Sequence, residues 1–153
     1  MYDYNLFALY PPTGLCPETG ERWIWHQELP HEVRTTCTAA DSAIYVGIDT
    51  GYQLFKRDAS DGGWLSEFQS YFGRYFVGSA AVTTANLLYS GNDDGYFYVL
   101  PTSDLTYPIA DYYTGGIISS TPAIIYAAED GARWVYITSR ANGGTLIAFR
   151  TSL

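Results

Sequence analysis

The sequence is poor in positive charge and has no long apolar run. It carries 8 Lys and Arg residues against 16 Asp and Glu, and Lys56 is the single lysine. A protein that binds nucleic acid needs clustered Lys and Arg to displace counterions from phosphates, but the arginines here are scattered. No apolar stretch approaches the ~20 residues of a spanning helix, and a formal net charge of -8 disfavours an anionic membrane surface. We therefore expect no nucleic-acid partner and no membrane insertion.

Cysteine is scarce as well. Cys16 and Cys37 permit either one disulfide or two free thiols, and two cysteines are too few to fix a redox compartment. The first residues have no basic start and only a short apolar stretch, so no signal peptide is predicted; either the mature chain starts here or it is a piece of a longer protein. Low lysine, many tyrosines and the permitted disulfide favour an extracytoplasmic or extracellular setting.

Helical periodicity is also missing, because no segment repeats apolar residues at i, i+3, i+4 and i+7 over a sufficient length. Aromatic residues instead make up 17% of the chain, with 15 tyrosines, and such residues suit pleated, half-buried strands. The hydrophobic fraction of 47% in 153 residues is enough for a core. We therefore predict an all-β domain.

An internal repeat organises the chain. The aligned tyrosines Tyr45, Tyr89 and Tyr136 are 44 and 47 residues apart, in the range that marks solenoids and propellers. Each tyrosine lies in an apolar segment that runs into an Asp, Asn and Gly tract and then into a second apolar segment, in residues 43–55, 87–99 and 134–149. This pattern predicts two antiparallel strands joined by a tight turn.

Two further strands are predicted in each period. Small and β-branched residues precede each hairpin, in residues 34–40, 77–83 and 118–124. Polar segments with aromatic residues form the other set, in residues 22–29, 64–68 and 108–113. Small side chains suit a strand near the axis where neighbouring sheets converge, and four antiparallel strands per period make one β-propeller blade.

These segments carry a family likeness. Residues 45–55, and still more residues 89–100, resemble the repeat of the quinoprotein-like (PQQ-repeat) β-propeller superfamily. In that repeat a strand ending in glycine leads through an Asp-Gly turn to a Tyr-rich strand, then through a Thr-Gly turn to a strand with a docking tryptophan. Residues 5–14 and 19–25 resemble the second half of such a repeat. Trp64 matches the docking position of the next copy, whereas the third has Tyr107 or Tyr112 there. WD40 and kelch blades are less similar, because neither a Trp-Asp strand ending nor a repeated double glycine of the kelch type occurs.

The repeats predict a single, partial β-propeller domain over residues 1–153. The approximate repeats are 1–33, 34–76, 77–116 and 117–153. The chain starts in the third strand of one blade and stops in the third strand of another, which gives about three and a quarter blades against the usual four to eight. We therefore expect an incomplete ring with open sheet edges, which invite pairing with another chain.

Few residues suggest a metal site. Asn92, Asp93 and Asp94 offer oxygen ligands of the kind that Ca²⁺ prefers, but the same residues are what a hairpin turn requires. Glu129 and Asp130 have the same explanation. The turn interpretation is favoured in both places.

The histidines give an equally weak signal. His26 and Glu28 share a strand face, and His31 and Glu32 follow Pro30. This arrangement lacks zinc-ligand spacing, and surface histidines are common. No Gly-x-Ser-x-Gly nucleophile motif occurs. We predict no catalytic, cofactor-binding or metal-binding residue and no cofactor.

Clustered aromatic residues are the remaining candidates. Tyrosines and phenylalanines cluster in residues 71–76, and Tyr107, Tyr112 and Tyr113 form a second group. Tyrosine combines a flat apolar ring with a hydroxyl, which suits a surface for peptide or carbohydrate. Packing between blades is the alternative and is favoured.

The predicted function is a non-catalytic scaffold. In the superfamily, members that bind pyrroloquinoline quinone are alcohol or sugar dehydrogenases with acidic calcium ligands and, in many, two adjacent cysteines. Here Cys16 and Cys37 are far apart, and no acidic cluster lies outside a turn. We therefore predict a propeller segment, not an enzyme, that binds a protein partner or further copies of itself. The alternatives are a fragment of a PQQ-dependent dehydrogenase and a self-assembling structural subunit of a ring or filament.

Overall fold

The computed structural model describes residues 4–9, 23–126 and 133–151, and four antiparallel sheets make up this part of the chain. Sheet 1 contains β1 (Asn5–Leu9) and β2 (Trp23–Glu28). Sheet 2 contains β3 (Thr38–Ala40), β4 (Ala43–Gly47), β5 (Gln53–Asp58) and β6 (Trp64–Gln69). Sheet 3 contains β7 (Ala81–Val82), β8 (Leu87–Gly91), β9 (Tyr96–Pro101) and β10 (Ala110–Tyr113). Sheet 4 contains β11 (Ala123–Tyr126), β12 (Arg133–Ser139) and β13 (Thr145–Thr151).

The strand order confirms the predicted all-β fold with four-stranded antiparallel sheets. In sheets 2 and 3 the four strands pair in chain order, so each sheet is a meander. Sheet 1 has the strands that correspond to the third and fourth of a meander, and sheet 4 has those that correspond to the first three. The only helical segment among the described residues is a 3₁₀ turn at Ala141–Gly143. The described sheets do not close on themselves, and the exact repeat boundaries stay predictions.

The turn between β8 and β9 shows why the Asp and Asn tract forms a hairpin. The backbone N–H of Asp94 donates to the side-chain oxygen of Asn92 at 2.9 Å, and the N–H of Gly95 donates to the carbonyl of Asn92 at 3.2 Å. Gly95 has a φ of 87°, which costs a residue with a side chain more than it costs glycine. Asn92, Asp94 and Gly95 therefore form the hairpin turn that the sequence predicts.

Both faces of a sheet are apolar where another sheet covers them. On β4, Tyr45 packs into the core with sheet 3, and Val46, the next residue, packs into the core with sheet 1. On β9, Tyr98 faces sheet 2 and Phe97 faces sheet 4. This alternation follows from the two-residue period of a strand. Three apolar cores result, one between each pair of successive sheets.

The glycine that ends the second strand allows the close approach of these sheets. A Cβ at Gly47 would lie 2.6 Å from the Cβ of Phe76, and a Cβ at Gly91 would lie 2.1 Å from a methyl carbon of Ile118. Both contacts come from the segment that leads into the next sheet. Thr138 holds the corresponding position on β12 and is exposed.

Trp64 does not occupy the buried docking position that the sequence predicts for it. Strand pairing aligns Trp64, opposite Arg57, with Trp23, opposite Leu9, and Trp64 is 59% exposed. The buried position lies two residues further along, because Trp25 and Ser66 point towards the neighbouring sheet. Ser66 accepts a hydrogen bond from the backbone N–H of Leu105 in sheet 3 at 3.3 Å. The assignment of Trp64 as the docking residue was therefore wrong.

Candidate functional site

No element of the described part of the chain covers one face of sheet 1, which we call end face A. Leu6 on β1 and Trp25 on β2 pack towards sheet 2. The opposite face carries Asn5, Phe7, Leu9, Trp23, His26 and Glu28. The rings of Phe7, Trp23 and His26 contact one another with centroids 5.9 to 6.3 Å apart. End face A is thus an aromatic surface, and Leu9 on it is 64% exposed.

Within residues 4–9, 23–126 and 133–151, nothing covers the face of sheet 4 that points away from sheet 3, which we call end face B. Val135 and Ile137 on β12 pack towards sheet 3. The opposite face carries Ala123, Ile125, Trp134, Tyr136, Thr138, Leu146, Ala148 and Arg150. Leu146 on this face is 70% exposed. Tyr136 belongs to the aligned tyrosines, and its partners Tyr45 and Tyr89 are fully buried between sheets.

The predicted aromatic surface is divided between the core and the solvent. Phe76 is fully buried, and Tyr75 stacks on Tyr52 with centroids 5.7 Å apart. Tyr112 packs against Phe149 with centroids 4.7 Å apart. Inter-blade packing therefore accounts for these three members.

Of the other predicted members, Tyr71, Phe72 and Tyr113 are exposed, and together with the half-buried Tyr96 they form a group that we call the aromatic rim; Tyr107 is 78% exposed and is not part of it. Phe72 stacks on Tyr96 with centroids 5.5 Å apart, and the rings of Tyr113 and Tyr96 have centroids 5.0 Å apart. Phe72 is 62% exposed and Tyr113 is 66% exposed. The rim lies where the connection after β6 meets the ends of β9 and β10, above the core between sheets 2 and 3.

Two carboxylates adjoin the aromatic rim. Asp94 accepts a hydrogen bond from the hydroxyl of Tyr98 at 2.5 Å, and burial raises the pKa of Asp94 above its ordinary value. Asp111 is exposed, and its charge raises the pKa of Asp94 further. Burial and the charge of Asp111 also raise the pKa of Tyr71. The rim therefore combines ring faces with negative charge.

A charged row at one end of the sheets escaped the sequence analysis. Asp49, Asp93 and Arg140 follow the second strands of sheets 2, 3 and 4, and each donates its backbone N–H to the segment that precedes the first strand of its own sheet. Arg34 contacts Asp49 with 2.6 Å between Nε and Oδ2. Burial raises the pKa of Asp93, and the charge of Arg140 opposes this rise. The sequence did contain a signal for this row, because Asp49, Asp93 and Arg140 each lie four residues after one of the aligned tyrosines.

The histidines do not combine into one site. His26 contacts Phe7 and Trp23 on end face A, whereas His31 lies against Gly51. Among the described residues, no group of three or more His, Cys, Asp or Glu side chains is placed to hold a metal ion. Glu129 and Asp130 lie outside the described residues. The absence of metal and cofactor sites stays a prediction.

Cys37 is an exposed, free thiol. Cys16 lies outside the described residues. No helix in the described part of the chain is long and apolar enough to cross a membrane.

Comparison with known proteins identifies the architecture. No protein-family model and no curated protein sequence matches the chain. Among solved structures, BamB from Moraxella catarrhalis is similar with a TM-score of 0.71 and 17% sequence identity, over 97% of this chain and 44% of that chain. The fold is that of a β-propeller. The computationally designed Ika4 protein is similar with a TM-score of 0.62 and 15% identity, over 84% of this chain and 72% of that chain.

The sheets are accordingly propeller blades. At these identities the likeness shows the fold alone, and the chain spans 44% of the length of BamB. The PQQ repeat itself stays a resemblance, because no family model matches it.

Proposed function

We propose that the chain is a non-catalytic β-propeller segment that acts as a protein-binding or assembly scaffold through end faces A and B. The observation that carries this proposal is the chemistry of the two end faces. Each presents aromatic and aliphatic side chains at strand positions that are buried in the blades between them. Apolar surface of this kind gains free energy when a partner covers it, at about 25 cal/mol per Å².

We propose a second copy of this chain as the occupant, with end face A of one copy packed on end face B of the other. Contact between two different faces continues head to tail and can close into a ring. The four described sheets contain thirteen strands, so two copies supply 26, which is about six and a half four-stranded blades and lies within the usual four to eight. The coverage of BamB points the same way, since one copy matches a little under half of that chain.

Thr138 supports this choice of occupant. At the equivalent positions, Gly47 and Gly91 leave room for the segment that leads into the first strand of the next blade. Thr138 would obstruct such a segment on end face B. Sheet 1 as described has only β1 and β2, which correspond to the third and fourth strands of a blade. End face A of a second copy would therefore place no first or second strand, and no segment leading into one, against Thr138.

The test is the native mass of the chain and of two variants, measured by light scattering after size exclusion. We expect a discrete oligomer for the unchanged chain and monomers for Phe7→Glu on end face A and for Leu146→Glu on end face B. Because the interface joins unlike faces, an equimolar mixture of the two variants retains one intact A–B contact and should recover a dimer.

A control variant and two further outcomes test whether the contact joins end face A to end face B. Phe72→Glu is the matched control, since Phe72 is exposed and lies on neither end face, and it should keep the native mass. If Leu146→Glu alone still forms the native dimer, the contact joins two copies of end face A and the head-to-tail arrangement is wrong. A monomer that aggregates would favour blades supplied by another protein or by a longer chain.

The resemblance keeps the dehydrogenase alternative open. A fragment of a PQQ-dependent dehydrogenase would need its cofactor ligands from further blades, and a longer transcript encoding them would favour it. The extracytoplasmic setting indicated by composition is likewise a proposal, which secretion of the expressed native gene product would test.

A further inference from the structure

The aromatic rim has the features of a binding surface that is separate from the end faces. Its rings come from the connection after sheet 2 and from sheet 3, so it spans the junction between two blades. The two cation–π contacts seen among the described residues, Arg57 over Phe55 and Arg133 over Tyr126, do not involve the rings of the rim.

The connection that carries Tyr71 and Phe72 is held in one conformation. The hydroxyl of Ser70, which is buried, accepts a hydrogen bond from the backbone N–H of Arg74 and donates to the carbonyl of the same residue, both at 3.0 Å. The N–H of Gly73 donates to the carbonyl of Ser70 at 3.4 Å. A loop fixed in this way loses little conformational entropy when a ligand binds.

Tyr113 is positioned by the turn before β9 and by its cross-strand partner on β9. A Cβ on Gly95 would lie 3.0 Å from the ring carbon Cε2 of Tyr113, so the turn before β9 packs closely against this ring. Tyr113 pairs with Tyr96 across β9 and β10, and Asp111 pairs with Tyr98 on the same face. Asp111 and Tyr113 are therefore two residues apart on β10 and lie on the same face of the strand.

The charge at the rim is negative. The charge of Asp111 raises the pKa of both Asp94 and Tyr71, and Asp111 also shares a hydrogen bond with the Tyr71 side chain. The chain as a whole carries a formal net charge of -8. A cation placed at the rim would face electron-rich rings and a carboxylate at the same time, and both attract it.

We propose that the aromatic rim, with Asp111 beside it, binds an arginine- or lysine-bearing peptide segment of a partner protein. The cationic head lies over the exposed rings of Tyr113 and Phe72, and Asp111 accepts its hydrogen bonds. A neutral carbohydrate would use the same ring faces but would gain nothing from the negative charge. This site does not depend on what covers end faces A and B.

The test uses defined probes and isothermal titration calorimetry. The probes are a capped glycine-rich peptide with two arginines, the same peptide with glutamines in their place, and maltohexaose. We expect the arginine peptide to bind and the other two not to bind. Tyr113→Ala should weaken that binding about two- to fivefold, the size of an exposed cation–π contact. Asp111→Asn should weaken it and reduce its dependence on salt.

Matched controls separate the rim from general surface effects. Tyr107→Ala removes an exposed tyrosine outside the rim, and Asp41→Asn removes an exposed carboxylate in the turn between β3 and β4. Both should leave peptide affinity unchanged. Phe7→Glu should also keep it, so that a failure of the end-face proposal is distinguishable from a failure here. Absence of arginine-peptide binding, equal weakening by Tyr107→Ala, or binding of maltohexaose alone would overturn the proposal.

Discussion

The indole Nε1 of Trp25 donates a hydrogen bond to the carbonyl oxygen of Ala59 at 3.0 Å. Trp25 belongs to the outer strand of sheet 1, and Ala59 lies in the turn between β5 and β6 of sheet 2. The same indole lies against Gly62, where a Cβ would come within 2.8 Å of the ring. One side chain therefore joins two blades through both a hydrogen bond and close packing.

Replacing the indole should weaken this junction. Trp25→Phe removes the hydrogen bond and leaves a smaller ring, so we expect the free energy of unfolding to fall by about 1–2 kcal/mol. Urea unfolding followed by circular dichroism measures the change. Trp64→Phe is the matched control, and because Trp64 is mostly exposed its effect should stay within about 0.5 kcal/mol. Equal losses in the two variants would show that Trp25 has no special part in joining the blades.

Gly91 should be intolerant of even a methyl group. Gly91→Ala places a Cβ within 2.1 Å of a methyl carbon of Ile118 in the segment that leads into sheet 4, and the two blades must separate to relieve the overlap. We expect a loss of about 1–3 kcal/mol, measured by urea unfolding.

The control for this substitution is Thr138→Ala, at the equivalent but exposed position of sheet 4. It should change the free energy of unfolding of the monomer by no more than about 0.5 kcal/mol. A Gly91→Ala variant as stable as the unchanged chain would mean that the blades pack less closely than the structure indicates.

Asp93 should lower stability at neutral pH. Burial raises its pKa in the folded protein, and one of its carboxylate oxygens is buried without a hydrogen-bond partner. The folded chain therefore binds the proton more tightly than the unfolded chain, so stability falls as pH rises from the ordinary aspartate pKa of ~3.9 through the raised value. Asp93→Asn should raise the free energy of unfolding at pH 7 by up to about 1 kcal/mol, with no gain at low pH.

Asp104 is the matched control, because its pKa is shifted in the direction opposite to that of Asp93. The hydroxyl and the backbone N–H of Thr106 donate to its carboxylate at 2.6 and 2.9 Å, and these bonds lower the pKa of Asp104. Its contribution is present above the ordinary pKa and is lost as pH falls through the lowered value. Asp104→Asn should therefore destabilise the protein at neutral pH and not at low pH. The same sign for both variants in urea unfolding at two pH values would contradict this account.

The candidate surfaces were only partly predictable from the sequence. Tyr71, Phe72 and Phe76 occur within six residues and look alike in the sequence, yet Phe76 is fully buried and the other two are exposed. The difference depends on the distance of each residue from the core between sheets 2 and 3, which residues far apart in sequence build. The amino-acid composition of the segment does not predict how far each residue lies from that core.

The docking position shows the same limit. The repeat pattern assigned Trp64 to the docking position of its copy, but the side chain of Trp64 is 59% exposed and the assignment was wrong. Strand pairing and an irregularity in register after Ala8 decide that Trp25 points inward. The charged row was missed for a related reason, since Asp49 and Arg140 differ in charge and become equivalent only when the sheets are aligned.

By itself, the sequence determined the strands, their grouping in fours and the open ends of the blade set, because turn residues and strand propensity act locally and recur with the repeat. Only the tertiary structure decided which aromatic side chains are buried and which remain on the surface. In a blade both faces are apolar, so the two-residue period does not distinguish a covered face from an uncovered one. That distinction depends on whether another sheet lies against the face, which is a property of the assembled blades.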